Sequence, residues 1–442
     1  MASLHKARDQ GDFDMEAWEE AIRNPVLRYG ANLLEGLLAK AGCGRRDAPV
    51  LYAEGQPMHS IGVRQKTLTT LLGKVTLRRS VFKDATGTRT RIPLDESLGV
   101  TGTSFSPGVR RFMARAGSRS SFVDASEDLL TYARLEVTPK QVQRVAEDVG
   151  RAVEDWNARQ EAAPAGSQDN PATVPILYVS FDGTGVPMRK SELHSSKGKG
   201  PDGKARTREV KLGCIFTQTT TDEAGWPVRD PDSTTYVGAI ESSELFGLRI
   251  YQEAVRRGSE QADKIGVLTD GARYNKTIAS THFPGAVHII DLYHAREHLA
   301  GLAKTLGIDD AQLSAWRDLL DMGRVENILD QADAHIDALS LGNAQADILR
   351  KDLGYFQENA RLMRYAEFRI AGYFVGSGVV EAGCRTLIGE RLKRSGMFWS
   401  LRGANAIIVF SVLSDLRSLR RLLGRRRLIP PLFCHAPRVS QA

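Results

Sequence analysis

Residues 174–185, VPILYVSFDGTG, limit what this chain can fold into more than any other stretch. Ile176, Leu177, Tyr178 and Val179 form an apolar run of strand length, apolar enough to be covered on both faces. The run ends at an acid, Asp182, followed by Gly183-Thr184-Gly185. A carboxylate at the end of a buried strand is costly unless something pairs with it. A metal ion would satisfy it, and so would a hydrogen-bonded turn, which aspartate and glycine form readily.

Beyond this strand the chain alternates between two periodicities. Further strands are expected over 209–217, 234–240, 264–269 and 286–290, with the first over 174–181. Helices are expected over 243–257 and 273–280, and a third begins near Asp291. A basic Gly/Ser-rich loop, 189–207, separates the first two strands. Three antiparallel strands and then two parallel ones with crossover helices is the element order of a ribonuclease H-like α/β core, a five-stranded mixed sheet with flanking helices. The right-handed crossover rule puts the first and fourth strands side by side. Asp270, in LTDGARYN at the end of the fourth, is then expected beside Asp182 at neighbouring strand ends. Residues 295–372 read as an all-helical insertion, after which Gly376-Ser377-Gly378 leads into a helix carrying Glu381. Trp399 reads as packing for the last helical region.

The region before this core is mainly helical. Residues 14–41 carry apolar side chains at helical spacing, read as one or two helices broken near Pro25. Residues 68–82 alternate around Gly73 as a β-hairpin. Cys43 stands before it without the partner cysteines a zinc ribbon needs. Residues 122–132 and a helix opening at Thr138-Pro139-Lys140-Gln141 form a helix-turn-helix candidate. Thr is the cap, Pro the first helical residue, and Gln stands three after the cap. Lys140, Gln141 and Arg144 lie at the front of its second helix. The expected organisation is 1–98 helices and hairpin, 99–159 DNA-binding region, 160–173 linker, 174–294 first part of the core, 295–372 helical insertion, 373–424 final core helices and 425–442 basic tail.

Charge is informative through its distribution. The net charge of +7 is modest, but Arg110, Arg111, Arg115 and Arg119 sit in a stretch without an acid, and six arginines lie between Arg417 and Arg427. Such clusters favour a polyanion, or else form solvated helix faces. No stretch is apolar and long enough to span a membrane, and no apolar leader opens the chain. The four cysteines, Cys43, Cys214, Cys384 and Cys434, are far apart, which gives no disulfide framework and suits a reducing cytoplasm.

Two strand-end aspartates and a helix-borne glutamate make an oxygen-rich cluster suited to Mg²⁺ or Mn²⁺. Two such ions about 3.5–4 Å apart serve phosphoryl displacement. Pairing with Arg385 is a purely local alternative for Glu381, and Asp291 is a rival third ligand. His294 and His298 flank Glu297 in the wrong order for a zinc protease, which requires H-E-x-x-H.

FDGTG around Asp182, LTDGARYN around Asp270, IIDLYHAREHL around Asp291 and SGVVEAGC…RLKRSGMFWS around Glu381 together resemble the ISKra-type bacterial insertion-sequence transposases, relatives of the Mutator-like DDE transposases. The resemblance runs from the hairpin onward. It implies Asp182, Asp270 and Glu381 as the catalytic, metal-binding triad with two ions, and Asp291 and His294 as an accessory D-x-x-H motif. It further implies strand cleavage and strand transfer on DNA, with element terminal inverted repeats and target DNA as partners and a homo-oligomer on the DNA. Arg110, Arg111, Arg115, Lys140, Gln141 and Arg144 are the candidate DNA contacts. The chain departs from the pattern in keeping only Cys43 near the hairpin. The competing readings are a transposase-derived DNA-binding protein that no longer cuts, and a nuclease without strand transfer.

Overall fold

The computed structural model describes residues 14–44, 50–51, 55–161, 174–193, 206–338, 350 and 353–412; side chains are not described at 156–161. The described residues up to Val149 form one compact unit, and those from Gly150 form another.

The first unit opens with α1 (Met15–Lys40), capped by Asp14, whose Oδ1 accepts the Ala17 N–H at 3.0 Å. The break expected near Pro25 does not occur, and one helix runs through it. Pro25 and Ala21, whose carbonyl the proline leaves without its usual partner, are both exposed. Water can therefore satisfy that carbonyl. A four-stranded sheet comes next: β1 (Val50–Leu51), β2 (Pro57–Thr70), β3 (Gly73–Lys83) and β4 (Thr90–Arg91), in sequential order. The β2–β3 hairpin closes at Thr70 opposite Gly73, and φ is +126° at Gly73. Leu68, Val75 and Leu77 are buried against Ala31, Leu34 and Leu38 of α1. After the short α2 (Pro93–Ser97) come α3 (Pro107–Arg119) and α4 (Phe122–Ala133), and then α5 (Pro139–Glu161).

The start of α5 is dictated by its sequence. The Thr138 N–H donates to Gln141 Oε1 at 2.8 Å, and the Gln141 N–H donates to Thr138 Oγ1 at 3.3 Å, the reciprocal capping box. Arg134, with φ +53°, turns the chain out of α4. Helix α5 continues through Glu161, so the first two residues of the expected linker are helical; 162–173 lie outside the described residues.

The second unit is built on a five-stranded sheet: β5 (Ile176–Pro187), β6 (Thr207–Gln218), β9 (Thr235–Ala239), β10 (Lys264–Thr269) and β11 (Val287–Ile290). A two-stranded excursion, β7 (Thr220–Thr221) with β8 (Pro227–Val228), interrupts it. The spatial order is β11-β10-β5-β6-β9. Strands β10 and β11 run parallel to β5, whereas β6 is antiparallel to both β5 and β9. The first and fourth strands of the core are thus neighbours, as the crossover rule requires. This mixed sheet flanked by helices is compatible with a ribonuclease H-like core.

Strand alternation gives the sheet two covered faces. Leu177, Val179 and Phe181 point to α6 (Ser243–Arg256) and α7 (Arg273–His282), packing on Phe246, Ile250, Ile278 and Ala279. Tyr178 points the other way. It stacks on Phe216 at 4.8 Å, donates its hydroxyl hydrogen to Gln218 Oε1 at 2.6 Å and accepts the Phe374 N–H at 3.1 Å. Helices α8 (Leu292–Leu306), α9 (Asp310–Asp321) and α10 (Val325–Ala338), the helical stretch 353–359 and α11 (Tyr365–Ile370) lie between β11 and the Glu381 segment. That segment is α12 (Gly378–Gly383), which passes directly into a π-helical stretch, Cys384–Gly389. Helix α13 (Leu401–Val412) closes the described chain. Among the described residues no helix is long and apolar enough to cross a membrane.

Candidate active site

Asp182 does not end its strand. Parallel pairing between β5 and β10 stops at Ser180–Leu268, while the antiparallel ladder with β6 continues through Asp182–Leu212 to Pro187–Thr207. The acid therefore stands where the central strand outruns its parallel neighbour. The expected turn at Gly183-Thr184-Gly185 is instead extended backbone, because β6 supplies it with hydrogen-bond partners.

Period-2 alternation puts Asp182 on the face of Tyr178 and Ser180, which is also the face covered by the Glu381 segment. Its Oδ1 accepts the Gly183 N–H at 2.6 Å, and the buried Cys384 thiol lies close enough to feel the carboxylate. Burial, and after it the charges of Asp270 and Glu381, raises the Asp182 carboxyl above the usual range, against the Gly183 hydrogen bond and His294. The same surroundings push the Cys384 thiol up to about 12, burial first and Asp182 next.

Asp270 comes directly after the last residue of β10. Its Oδ1 accepts from the Ala272 N–H at 2.8 Å and from Asn275 Nδ2 at 2.7 Å, and Oδ2 accepts no hydrogen bond from the described residues. The Tyr355 hydroxyl donates to its backbone carbonyl at 3.2 Å. Glu381 is exposed in the first turn of α12, and its Oε1 accepts from Ser377 Oγ at 2.9 Å; Ser377, not Arg385, is its hydrogen-bond partner.

Asp291 is 1% exposed and fully engaged. Its Oδ1 accepts the His294 N–H at 2.6 Å, capping α8, and its Oδ2 accepts the Ser377 N–H. The Leu292 N–H reaches the Val375 carbonyl at 2.9 Å. Asp291 therefore clamps the 375–377 segment to the end of β11. His294 is partly exposed, with Nδ1 3.9 Å from Glu297 Oε2 and its ring edge-on to His298, which stacks on Tyr355 at 4.0 Å. It borders the acids and is not a core histidine. Trp399 is buried, with Nε1–H donating to the Leu392 carbonyl at 3.0 Å.

Several neighbours of these acids leave little or no mark in the sequence. Cys384 and the Ser377 N–H carry no local signal, since Asp182 and Asp291 are remote from them in the chain. A third set lies beside Gly183 on the opposite face. A Cβ there would come within 2.4 Å of Glu209 Oε1 and 2.8 Å of the Tyr274 hydroxyl. Tyr274 donates to Glu209 Oε1 at 3.2 Å, and Lys211 Nζ donates to Glu209 Oε2 at 2.8 Å. The bare glycine in FDG is the one sequence trace of this close approach.

Asp182, Asp270 and Glu381 come from separate segments, and each carries the hard carboxylate oxygens that Mg²⁺ and Mn²⁺ prefer. Burial and then the charges of Asp270 and Glu381 disfavour ionised Asp182, and Asp270 Oδ2 accepts no hydrogen bond from the described residues; both features suit a cation. As they stand, no three His, Cys, Asp or Glu side chains among the described residues are close enough to hold a metal ion.

An acid whose folded pKa exceeds its unfolded one favours the fold most at pH below the ordinary value of 3.8 and loses that contribution as pH rises through the raised pKa. Ionised Asp182 is therefore a cost at neutral pH. Asp182→Asn should raise Tm at pH 7 and change it much less near pH 4, and added Mg²⁺ should raise the Tm of the parent chain but not of the variant. Differential scanning calorimetry at the two pH values measures this, and equal Tm values at pH 7 would remove the penalty.

In the first unit, Lys140, Gln141 and Arg144 are exposed at the front of α5. Arg110 donates from Nη2 to the Gly99 carbonyl at 2.6 Å, Arg111 lies 5.9 Å from the Phe112 ring centroid, and Arg115 is half-buried. Residues 417–427 lie outside the described residues.

No family model matches this chain, and no curated protein sequence matches it. Among solved structures, the Drosophila P element transposase strand transfer complex aligns with 8% sequence identity and a TM-score of 0.33, covering 74% of this chain and 96% of that one. A likeness of that size carries no argument for this chain.

Proposed function

We propose that this protein is a DNA transposase that binds the ends of an insertion sequence and performs metal-dependent strand cleavage and strand transfer. One observation carries the reading. Asp182, Asp270 and Glu381 come from a central strand, its parallel neighbour and a helix far along the chain, and the charges of the latter two act on the carboxyl of the first. The ISKra-like motif set supports it, because its acids are these three residues.

In this reading Asp182, Asp270 and Glu381 hold two divalent ions, Mg²⁺ or Mn²⁺. Bound there, such ions would activate a water or a 3′-hydroxyl and stabilise the leaving oxygen. The chain's own part is orientation. The Gly183 N–H holds Asp182, Asn275 and the Ala272 N–H hold Asp270, and Ser377 holds Glu381. Arg110, Arg111, Arg115, Lys140, Gln141 and Arg144 are the side chains offered for contact with element ends. Arg110 is bonded to the Gly99 carbonyl, Arg111 and Arg115 are both half-buried, and Lys140, Gln141 and Arg144 are exposed.

The second reading, a transposase-derived DNA-binding protein that does not cut, is favoured by the lack of a ready-made metal cage among the described residues. The inverted repeats in the DNA flanking the gene, prepared as pre-cut duplex ends, separate the two. The transposase reading expects joined products with Mg²⁺ or Mn²⁺. Salt-sensitive binding without cleavage or joining would select the second reading, and neither binding nor joining would remove both.

A further inference from the structure

Helix α1 has a seated face and an open one. Ala31, Leu34 and Leu38 rest on the hairpin core, and Glu35 Oε2 accepts the Thr76 N–H at 2.9 Å. Met15, Ile22, Val26, Tyr29, Leu33 and Leu37 are each between 53% and 69% exposed. At 3.6 residues per turn these six fall within a sector of about 80°, centred about 130° away from the seated residues. A contiguous apolar stripe of this kind marks an interaction surface.

Its pattern identifies the partner. With the half-exposed Trp18, the stripe runs 18, 22, 26, 29, 33, 37. From Trp18 onward the steps are four, four, three, four and four, which read the same in both directions; Met15, three residues before Trp18, lies outside this repeat. Two copies laid antiparallel put Ile22 opposite Leu33, Val26 opposite Tyr29 and Trp18 opposite Leu37. That is the self-complementarity a twofold interface requires. The charges agree. Asp14, Glu16 and Glu19 are exposed at one end of the helix and Lys40 at the other. Antiparallel pairing sets Lys40 beside the partner copy's Glu16 and Glu19 and opposes the helix dipoles favourably; parallel pairing stacks like charge on like.

We propose that α1 is a homodimer interface on which two copies of this chain pair antiparallel, about a twofold axis between Val26 and Tyr29. The proposal does not depend on the catalytic reading, so its test needs no DNA and no metal.

Sedimentation equilibrium on the full chain is expected to give a dimer at micromolar concentration. Ile22→Glu/Leu33→Glu, both on the open face, should weaken it at least a hundredfold while leaving the circular dichroism spectrum unchanged. Lys40→Glu should weaken it several-fold, and Glu16→Lys/Glu19→Lys/Lys40→Glu should restore it, since the reversed charges meet again only in the antiparallel arrangement. A monomeric parent chain overturns the proposal. So does a dimer indifferent to Ile22→Glu/Leu33→Glu. Failure of the triple variant to regain affinity overturns the antiparallel register. Binding of the monomeric parent to anionic phospholipid vesicles, lost in the double variant, would assign the stripe to a membrane surface instead.

Discussion

Asp182→Asn and Asp270→Asn are each expected to abolish metal-dependent cleavage and joining while leaving DNA binding intact. Asparagine keeps the size of aspartate but removes the charge a divalent ion requires. A metal contributes several kcal/mol of transition-state stabilisation, so loss of its anchor lowers the rate by roughly three orders of magnitude. The two positions differ in what else they lose. Asp270 Oδ1 organises the start of α7 through Ala272 and Asn275, so Asp270→Asn also perturbs that turn. Asp182→Asn removes a charge that burial and two other acids disfavour, so the inactive protein should also be the more heat-stable one at neutral pH. Loss of activity with a gain in stability cannot come from misfolding. Single-turnover joining assays with gel-shift controls measure it. Joining within tenfold of the parent rate in either variant would strike that residue from the catalytic set.

The second large effect is structural. Asp291→Ala removes the acceptor for two backbone N–H groups, those of His294 and Ser377. Ser377 is buried, and each donor left unpaired costs about 1–3 kcal/mol, so the variant should lose roughly 2–5 kcal/mol in urea unfolding. Asp291→Asn keeps one acceptor and should lose about half as much. Activity discriminates the roles further. A metal ligand at 291 would make Asp291→Asn as dead as Asp182→Asn, whereas a clamp leaves a partly active enzyme. Ser377→Ala, which keeps the clamped N–H and drops only the hydroxyl on Glu381, is expected to fold normally. Its activity should fall about 10–100-fold, the usual cost of losing a ligand-orienting hydrogen bond. Unchanged stability in Asp291→Ala would show that the clamp carries no load.

Features that depend on a few neighbouring residues are legible in the chain alone. The core strands and helices lie where hydrophobic period puts them, within a few residues at their ends. The Thr138–Gln141 capping box closes as TPKQ dictates, because both partners lie within one helical turn. The adjacency of β5 and β10 is legible too, since handedness leaves one arrangement for a parallel crossover. Features that depend on remote partners emerge only in the folded protein. Gly183-Thr184-Gly185 reads as a turn, yet it is strand because β6 extends alongside it. Asp291 reads as a possible ligand, yet both its oxygens are taken, one by a backbone N–H 86 residues away. Cys384 reads as an ordinary thiol, yet folding sets it against Asp182. Period and capping are encoded locally, whereas a buried polar atom takes whichever donor the packed chain brings to it, and no local pattern specifies that donor.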